Sequence, residues 1–302
     1  MVGRVRRALR QREVGHAGTL DPMATGLLVV GLGQATRLLR FIEADTKTYE
    51  ATVRLGTSTT TEDADGEVLE HVEVAPPGPE AIDRALAALI GPQLQRAPAY
   101  SALKQDGVPL HARARRGEVV ERPIRPIVVH AFERLGLDGL DVHVRCVVSK
   151  GTYVRTLGVS LGEALGVPAH LVALRRTRIG ALDVADAVPL ADVVAAIGEG
   201  PASLPIQPPA AAVATRPARL VDARILRHGR TLDPALADGL ALGDHVQLLA
   251  PSTEPGGLPR LGGVAEVVPG PNGEGHALAY LCVLHPEQLE PDTDGARTRD
   301  HD

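Results

Sequence analysis

The stretch GHAGTLDPMATG, residues 15–26, decides how the rest of the chain is read. It sets His16, Asp21 and Thr25 among glycines and a proline. Pro22 restricts the backbone of Asp21, and the small residues before it leave the carboxylate few large neighbours in sequence. An isolated Asp-Pro is ordinarily a turn. With His16 upstream and a threonine–glycine pair downstream, this one reads as a carboxylate held out at the end of a loop, available as a nucleophile or base.

Working outward, Val2, Val5 and Leu9 fall at helical spacing and predict an amphipathic helix over 1–11. Residues 25–42 read as an apolar segment followed by a short helix. In TYEATVRLG, Tyr49, Ala51, Val53 and Leu55 alternate with Glu50, Thr52 and Arg54, the pattern of a half-buried strand. DADG at 63–66 is a turn. It begins like a calcium loop, but Val68 and Val74 stand where glycine and glutamate are required, so calcium is rejected. Residues 79–90 predict a helix closed by Gly91. Residues 96–126 are polar, basic and flanked by prolines, and read as a long excursion or lid. Val142, Val144, Cys146 and Val148 alternate into SKGTYVRT, so a strand delivers that motif at its end, with a helix over 156–165 after it. Composition shifts to proline and alanine around 198–217, the mark of a linker. Short β-like runs separated by glycines follow, and disorder is expected from about residue 291.

The chain of 302 residues is 44% hydrophobic and can bury a sizeable core, as one large domain plus a smaller one. No apolar run approaches the roughly 18 residues of a membrane helix. Cys146 and Cys282 sit in apolar runs and are expected as buried thiols in a reducing cytoplasm. Neither a CxxC nor a pair of histidines at metal-ligand spacing points to zinc. The net charge of −5 conceals two basic clusters: Arg4, Arg6, Arg7, Arg10 and Arg12, then Arg113, Arg115, Arg116, Arg122 and Arg125. Either cluster alone reads as a solvated face, yet local patches of this kind can hold a phosphate backbone. Ser101 and Lys104 in SALK match a serine-acylase start, but the companion Ser-Asp-Asn and Lys-Thr-Gly elements are missing. GLGQAT at 31–36 lacks the third glycine of a dinucleotide fingerprint.

Taken in order, the motifs resemble the TruB-type tRNA pseudouridine synthases. GHAGTLDPMATGLLVVGLGQATRL resembles that family's catalytic motif and KTYEATVRLGTSTTTEDADG its second. RAPAYSALKQDGVPLHARARRGE is similar to its RNA-gripping insertion. SKGTYVRTLGVSLGEALG and AHLVALRRTRIG are similar to the last two motifs. The resemblance implies an α+β pseudouridine synthase fold with a mixed, mainly antiparallel sheet over residues 1–197. It also implies, more weakly, a small β-rich PUA-like RNA-binding domain over 218–290. It makes Asp21 the attacking aspartate, places His16 near the entering nucleotide, and makes Tyr49 the stacking ring and a candidate for proton transfer. Tyr153 and Leu174 line the uracil pocket, and Arg155 pairs with the aspartate. Arg113, Arg115 and Arg116 become RNA-backbone contacts.

That chemistry explains the residue types. Isomerising uridine consumes no redox equivalent and no phosphate, so neither cofactor nor metal is expected. It needs a nucleophile to hold the sugar or the ring while the glycosidic bond is open, an arginine to orient that nucleophile, and an aromatic to receive a flipped base. The expectation is a cytoplasmic, monomeric isomerase acting on the T-arm of tRNA at position 55, with no membrane and no obligate protein partner. The rival reading is a non-catalytic RNA-binding or tRNA-folding protein. Against it stand Asp21, Tyr49 and Arg155 together. Members of the family begin earlier, with a strand and a DKPxGxTS-like turn, whereas Met1 here falls inside the first helix; either the true start lies upstream or the chain lacks that strand.

Overall fold

A computed structural model of the chain describes residues 1–284 apart from 102, 106, 115, 117, 119–120, 200–205, 229 and 253–256. The first helix, α1 (Val2–Leu9), leads into β1 (Val14–Ala17), β2 (Thr25–Gly26) and β3 (Val29–Leu32), then α2 (Leu39–Ala44). The main sheet begins with β4 (Lys47–Leu55), after which β5 (Thr57–Thr59) and β6 (Val68–His71) form a small hairpin. Next come α3 (Pro79–Ala88), β7 (Gly91–Arg96), a short β8–β9 hairpin (Lys104–Gln105, Val108–Pro109) and α4 (Leu110–Ala114). Two long strands, β10 (Ile124–Asp138) and β11 (Asp141–Val148), precede α5 (Val154–Leu165), β12 (Ala169–Ile179), β13 (Leu182–Asp183) and α6 (Leu190–Glu199).

The seven-stranded sheet runs β13-β12-β4-β11-β10-β7 by antiparallel pairs, and β2 adds to β12 in parallel. It is the mixed, mainly antiparallel sheet of an α+β fold. The alternation expected in β4 is present: Tyr49, Ala51, Val53 and Leu55 are buried and Arg54 is exposed. They pack with Ile82 and Leu86 of α3 and with Leu157 and Leu161 of α5 in the principal core. α5 starts at Val154, two residues earlier than its sequence pattern suggests, and lies close on the sheet because Gly162 leaves no Cβ. A methyl there would stand 2.5 Å from the Ala169 side chain.

Beyond α6, β14 (Ala218–Leu220), α7 (Ala223–His228), β15 (His245–Ala250), β16 (Arg260–Pro269) and β17 (His276–Val283) build a four-stranded sheet over its own core. Part of the segment read as a linker is packed. Residues Pro209–Val213 make a 3-10 turn, and Val213 is fully buried in a cluster with Leu38, Phe41, Leu261 and Val264. Arg216 then pairs with Asp45 at 2.8 Å and donates to the Phe41 carbonyl at 2.8 Å. Apolar contact outweighs the flexible composition here. The expected tail from 291 lies outside the described residues.

Candidate active site

The loop between β1 and β3 carries Asp21. Its turn closes with Ala24 N–H donating to the Asp21 carbonyl at 2.9 Å. Its exit is stitched to the sheet: Thr25 and Gly26 pair with Arg175 and Arg176 of β12, and Leu27 N–H donates to the Arg176 carbonyl at 2.8 Å. Gly26 has φ +94°, and a Cβ on it would sit 2.2 Å from the Arg176 oxygen, so only glycine lets the loop approach β12 this closely. From below, Arg176 is fully buried and reaches both ends of the loop. Its Nε donates to the Leu27 carbonyl at 2.8 Å and its Nη2 to the Gly18 carbonyl at 3.2 Å.

The carboxylate thus held meets Arg155 in the first turn of α5, 134 residues further along the chain. Nε and Nη2 of Arg155 donate to Asp21 Oδ2 and Oδ1, each at 2.9 Å, in a two-point fork. The Arg155 side chain is 3% exposed and that of Asp21 27%, so the arginine is sealed while the carboxylate opens outward. Arg155 is further engaged by the Thr61 carbonyl at 2.7 Å, the Tyr100 carbonyl at 2.9 Å and Asp63 Oδ2 at 3.4 Å. Such saturation of a guanidinium leaves it one orientation.

Tyr49 is buried in β4, opposite Arg176 of β12 in register. Burial pushes its hydroxyl above the usual tyrosine pKa, Arg176 opposes that shift, and the Asp21 carboxylate adds to it, so the phenol stays protonated near neutral pH. Leu174 is buried beside it in the same core, and Tyr153 is half-buried immediately before α5. The Gln95 side-chain amide brackets Tyr153, donating to its carbonyl at 3.0 Å and accepting from its N–H at 2.8 Å.

The structure therefore joins Asp21 to Arg155 and sets Tyr49 near enough for the Asp21 charge to act on its hydroxyl. It leaves His16 exposed on β1. Arg113 and Arg116 both pair with Glu118, at 2.8 Å each, and Arg115 lies outside the described residues. Arg122, counted among the basic cluster, turns inward to Glu62 at 3.4 Å.

Sequence reasoning missed Asp63, Arg176 and Gln95. Asp63 was read only as a turn residue, yet it is buried, accepts from the Thr61 hydroxyl and from Asp65 N–H, and supports Arg155. Arg176 carried a readable signal: it follows Leu174 at strand period, on the face that alternation buries. Below the loop, Lys47 is buried and donates to the Glu43 and Asp45 carbonyls at 2.8 and 3.0 Å, closing α2. Burial and Arg176 lower its pKa to about 8.

The chain matches known families across most of this architecture. A model described as TruB family pseudouridylate synthase (N terminal domain) matches residues 6–154, and one described as tRNA pseudouridylate synthase B C-terminal domain matches 155–203. The four-stranded unit from Ala218 lies beyond both matches. A tRNA pseudouridine synthase B of Corynebacterium efficiens is 49% identical over 199 residues, covering 64% of this chain and 66% of the relative, just short of two thirds of its length. One from Leifsonia xyli subsp. xyli is 46% identical over 261 residues, 83% of this chain and 84% of the relative. Among solved structures, a Cbf5–Nop10–Gar1 complex superposes with a TM-score of 0.70 at 25% identity, over 93% of this chain and 79% of that one. An H/ACA RNP bound to a substrate RNA containing 2'-deoxyuridine gives 0.70 at 24% identity, over 96% and 82%, a likeness of fold. By sequence, fold and the order of its motifs, the chain belongs to the TruB family of pseudouridylate synthases.

Proposed function

We propose that this protein isomerises uridine to pseudouridine in tRNA, at the T-loop uridine of position 55, with Asp21 as the nucleophile. The observation that carries the reading is the Asp21 carboxylate, gripped at two points by a sealed arginine and open on its outer side. Held this way it can approach a nucleotide drawn out of its stack without first reorganising. The reaction is balanced within the substrate. The bond from C1' to N1 breaks, the freed uracil turns, C5 bonds to C1', C5 gives up its proton and N1 gains one. Tyr49 offers a ring for the base and a protonated hydroxyl beside it, while Leu174 and Tyr153 shape the pocket for a flat pyrimidine.

RNA is held elsewhere by charge. The exposed Arg4, Arg7, Arg10 and Arg12 and the pair Arg113 and Arg116 are candidates for phosphate contact. The unit from Ala218 is proposed as a PUA-like grip on tRNA away from the target base. The protein is proposed to act as a cytoplasmic monomer.

Asp21→Asn is the decisive variant. It keeps the shape of the side chain and its contact with Arg155 through the amide oxygen, but removes the nucleophile. Pseudouridine formation on a T-arm substrate should fall by at least about a thousandfold, while tRNA affinity, spread over many phosphates, holds within a few-fold. Wild-type turnover by the variant would overturn the reading.

A further inference from the structure

Glu62 is a half-buried carboxylate that the chemistry above does not use. Among the described residues, Arg10 and Glu62 are the non-glycines with positive φ, at 50° and 65°. Arg10 merely ends α1. Glu62 sits inside the turn that carries Asp63, and a glutamate persists in that left-handed geometry only where its surroundings hold it. The hold is visible. Its carbonyl accepts from Leu171 N–H at 3.1 Å, its Oε2 accepts from the Thr156 hydroxyl at 2.7 Å, and its Oε1 lies 3.4 Å from Arg122 Nη1. Its side chain is 14% exposed, that of Arg122 35%. Burial raises the Glu62 pKa, opposed by Thr156, Arg122 and Arg155.

These partners come from three places. Leu171 belongs to β12. Thr156 follows Arg155 in the first turn of α5. Arg122 lies on the returning leg of the insertion, just before β10. The outgoing leg is fastened to the same turn, with Tyr100 accepting from Arg155 and Gln95 bracketing Tyr153. Ala97 N–H donating to the Pro123 carbonyl at 3.0 Å closes the neck between the legs. Both roots of the insertion therefore end on residues 153–156, the turn that aims Arg155 at Asp21.

We propose that Glu62 is a positioning residue, fastening the returning leg of the insertion to the Arg155 turn so that the seating of RNA against the insertion sets the Asp21–Arg155 pair. The proposal rests on the pseudouridine synthase reading above. The contact to Arg122 is the longest and most exposed of the three, so it is the link that can open when the insertion moves. When it opens, the half-buried Glu62 carboxyl group is left with one partner fewer, a cost that favours the closed arrangement. Arg122 is then a reporter of the insertion's position and not a phosphate ligand.

The test is a cycle of Glu62→Gln, Arg122→Met and the double variant, read by single-turnover rate and by tRNA affinity. Each single variant should slow isomerisation about tenfold or more with affinity held within about twofold, and the double should be no slower than the slower single. Glu62→Gly relieves the left-handed backbone and so guards against a folding defect; it should be as slow as Glu62→Gln. A wild-type rate in Glu62→Gly overturns the proposal. So does an Arg122→Met variant that loses affinity and salt dependence while its rate is unchanged, which would make Arg122 a phosphate contact. Amide exchange at Ala97 gives a readout independent of turnover: it should quicken in Glu62→Gln, and unchanged exchange would break the tether. A wild-type protein without turnover would overturn the functional reading, and the exchange experiment would still decide the tether.

Discussion

Between β1 and β3, the carbonyls of Gly18 and Leu27 are both taken by Arg176 and the exit of the loop is paired to β12; between β7 and β10, Arg113 and Arg116 share the single carboxylate of Glu118. Both segments are polar excursions, the first from the two-stranded β1–β3 sheet and the second from the seven-stranded sheet. In the first the cation is fully buried and spends its donors on main-chain oxygens whose positions the sheet dictates. In the second the cations sit in half-exposed to exposed ion pairs, worth about 0–1 kcal/mol each, that can be traded for other anions. Burial of charge yields geometry, and exposure of charge yields exchangeability. Under the proposed function, the Asp21 carboxylate is served by the first and a grip on phosphate by the second.

The largest effect on the anchored loop is expected at Gly26. Gly26→Ala would place a Cβ 2.2 Å from a backbone oxygen at φ +94°, forcing β2 off β12. A loss of about 4 kcal/mol in unfolding free energy is expected, from strain and overpacking together. Denaturant unfolding measures it, and an unchanged midpoint would mean that the loop is not anchored through β2.

A smaller effect, with a pH signature, belongs to Lys47 beneath the loop. Its pKa falls from 10.5 in the unfolded chain to about 8 when folded, because burial disfavours the ammonium. Between those values the unfolded state binds more protons, so unfolding free energy should rise with pH through this window. The rise should reach at most about 3 kcal/mol, with the cost of the buried charge fully present below pH 8. The slope is read as the difference between wild type and Lys47→Met from pH 7.5 to 10.5. Parallel curves would show that Lys47 is not buried as a cation.

Least stability is at stake in the insertion. Arg113→Ala with Arg116→Ala should change unfolding free energy by under about 0.5 kcal/mol, since exposed pairs contribute little. Affinity for tRNA should nonetheless weaken, and the slope of log affinity against log salt should flatten by roughly 0.7 to 0.9 for each phosphate no longer neutralised. An unchanged slope would place the grip elsewhere and end the contrast between the two segments.

Much of this arrangement was legible before folding. The alternation of Tyr49, Ala51, Val53 and Leu55 predicted the buried face of β4, and the helical spacing over 79–90 predicted α3. The glycine-rich stretch around Asp21 was legible as a loop with a carboxylate at its tip. Asp63 and Glu62 were not, because an acidic turn looks solvated until the elements packed over it are known. Val213 was hidden likewise: a proline–alanine segment gives no local sign that it will be pressed against Leu38 and Phe41.

Periodicity and turn chemistry act over a few residues, so the sequence alone determined which faces of the strands and helices are apolar and where the chain must turn tightly. Which charges meet was decided by the tertiary structure. Arg155 reaches Asp21 across 134 residues because α5 packs on the sheet at a depth set by Gly162, and Arg176 reaches Gly18 because the register of β12 against β4 puts it beneath the loop. Partners so far apart in the chain have no local pattern to announce them. Their pairing follows from the hydrophobic contacts that bring the elements together and from the cost of burying any charge left unpaired.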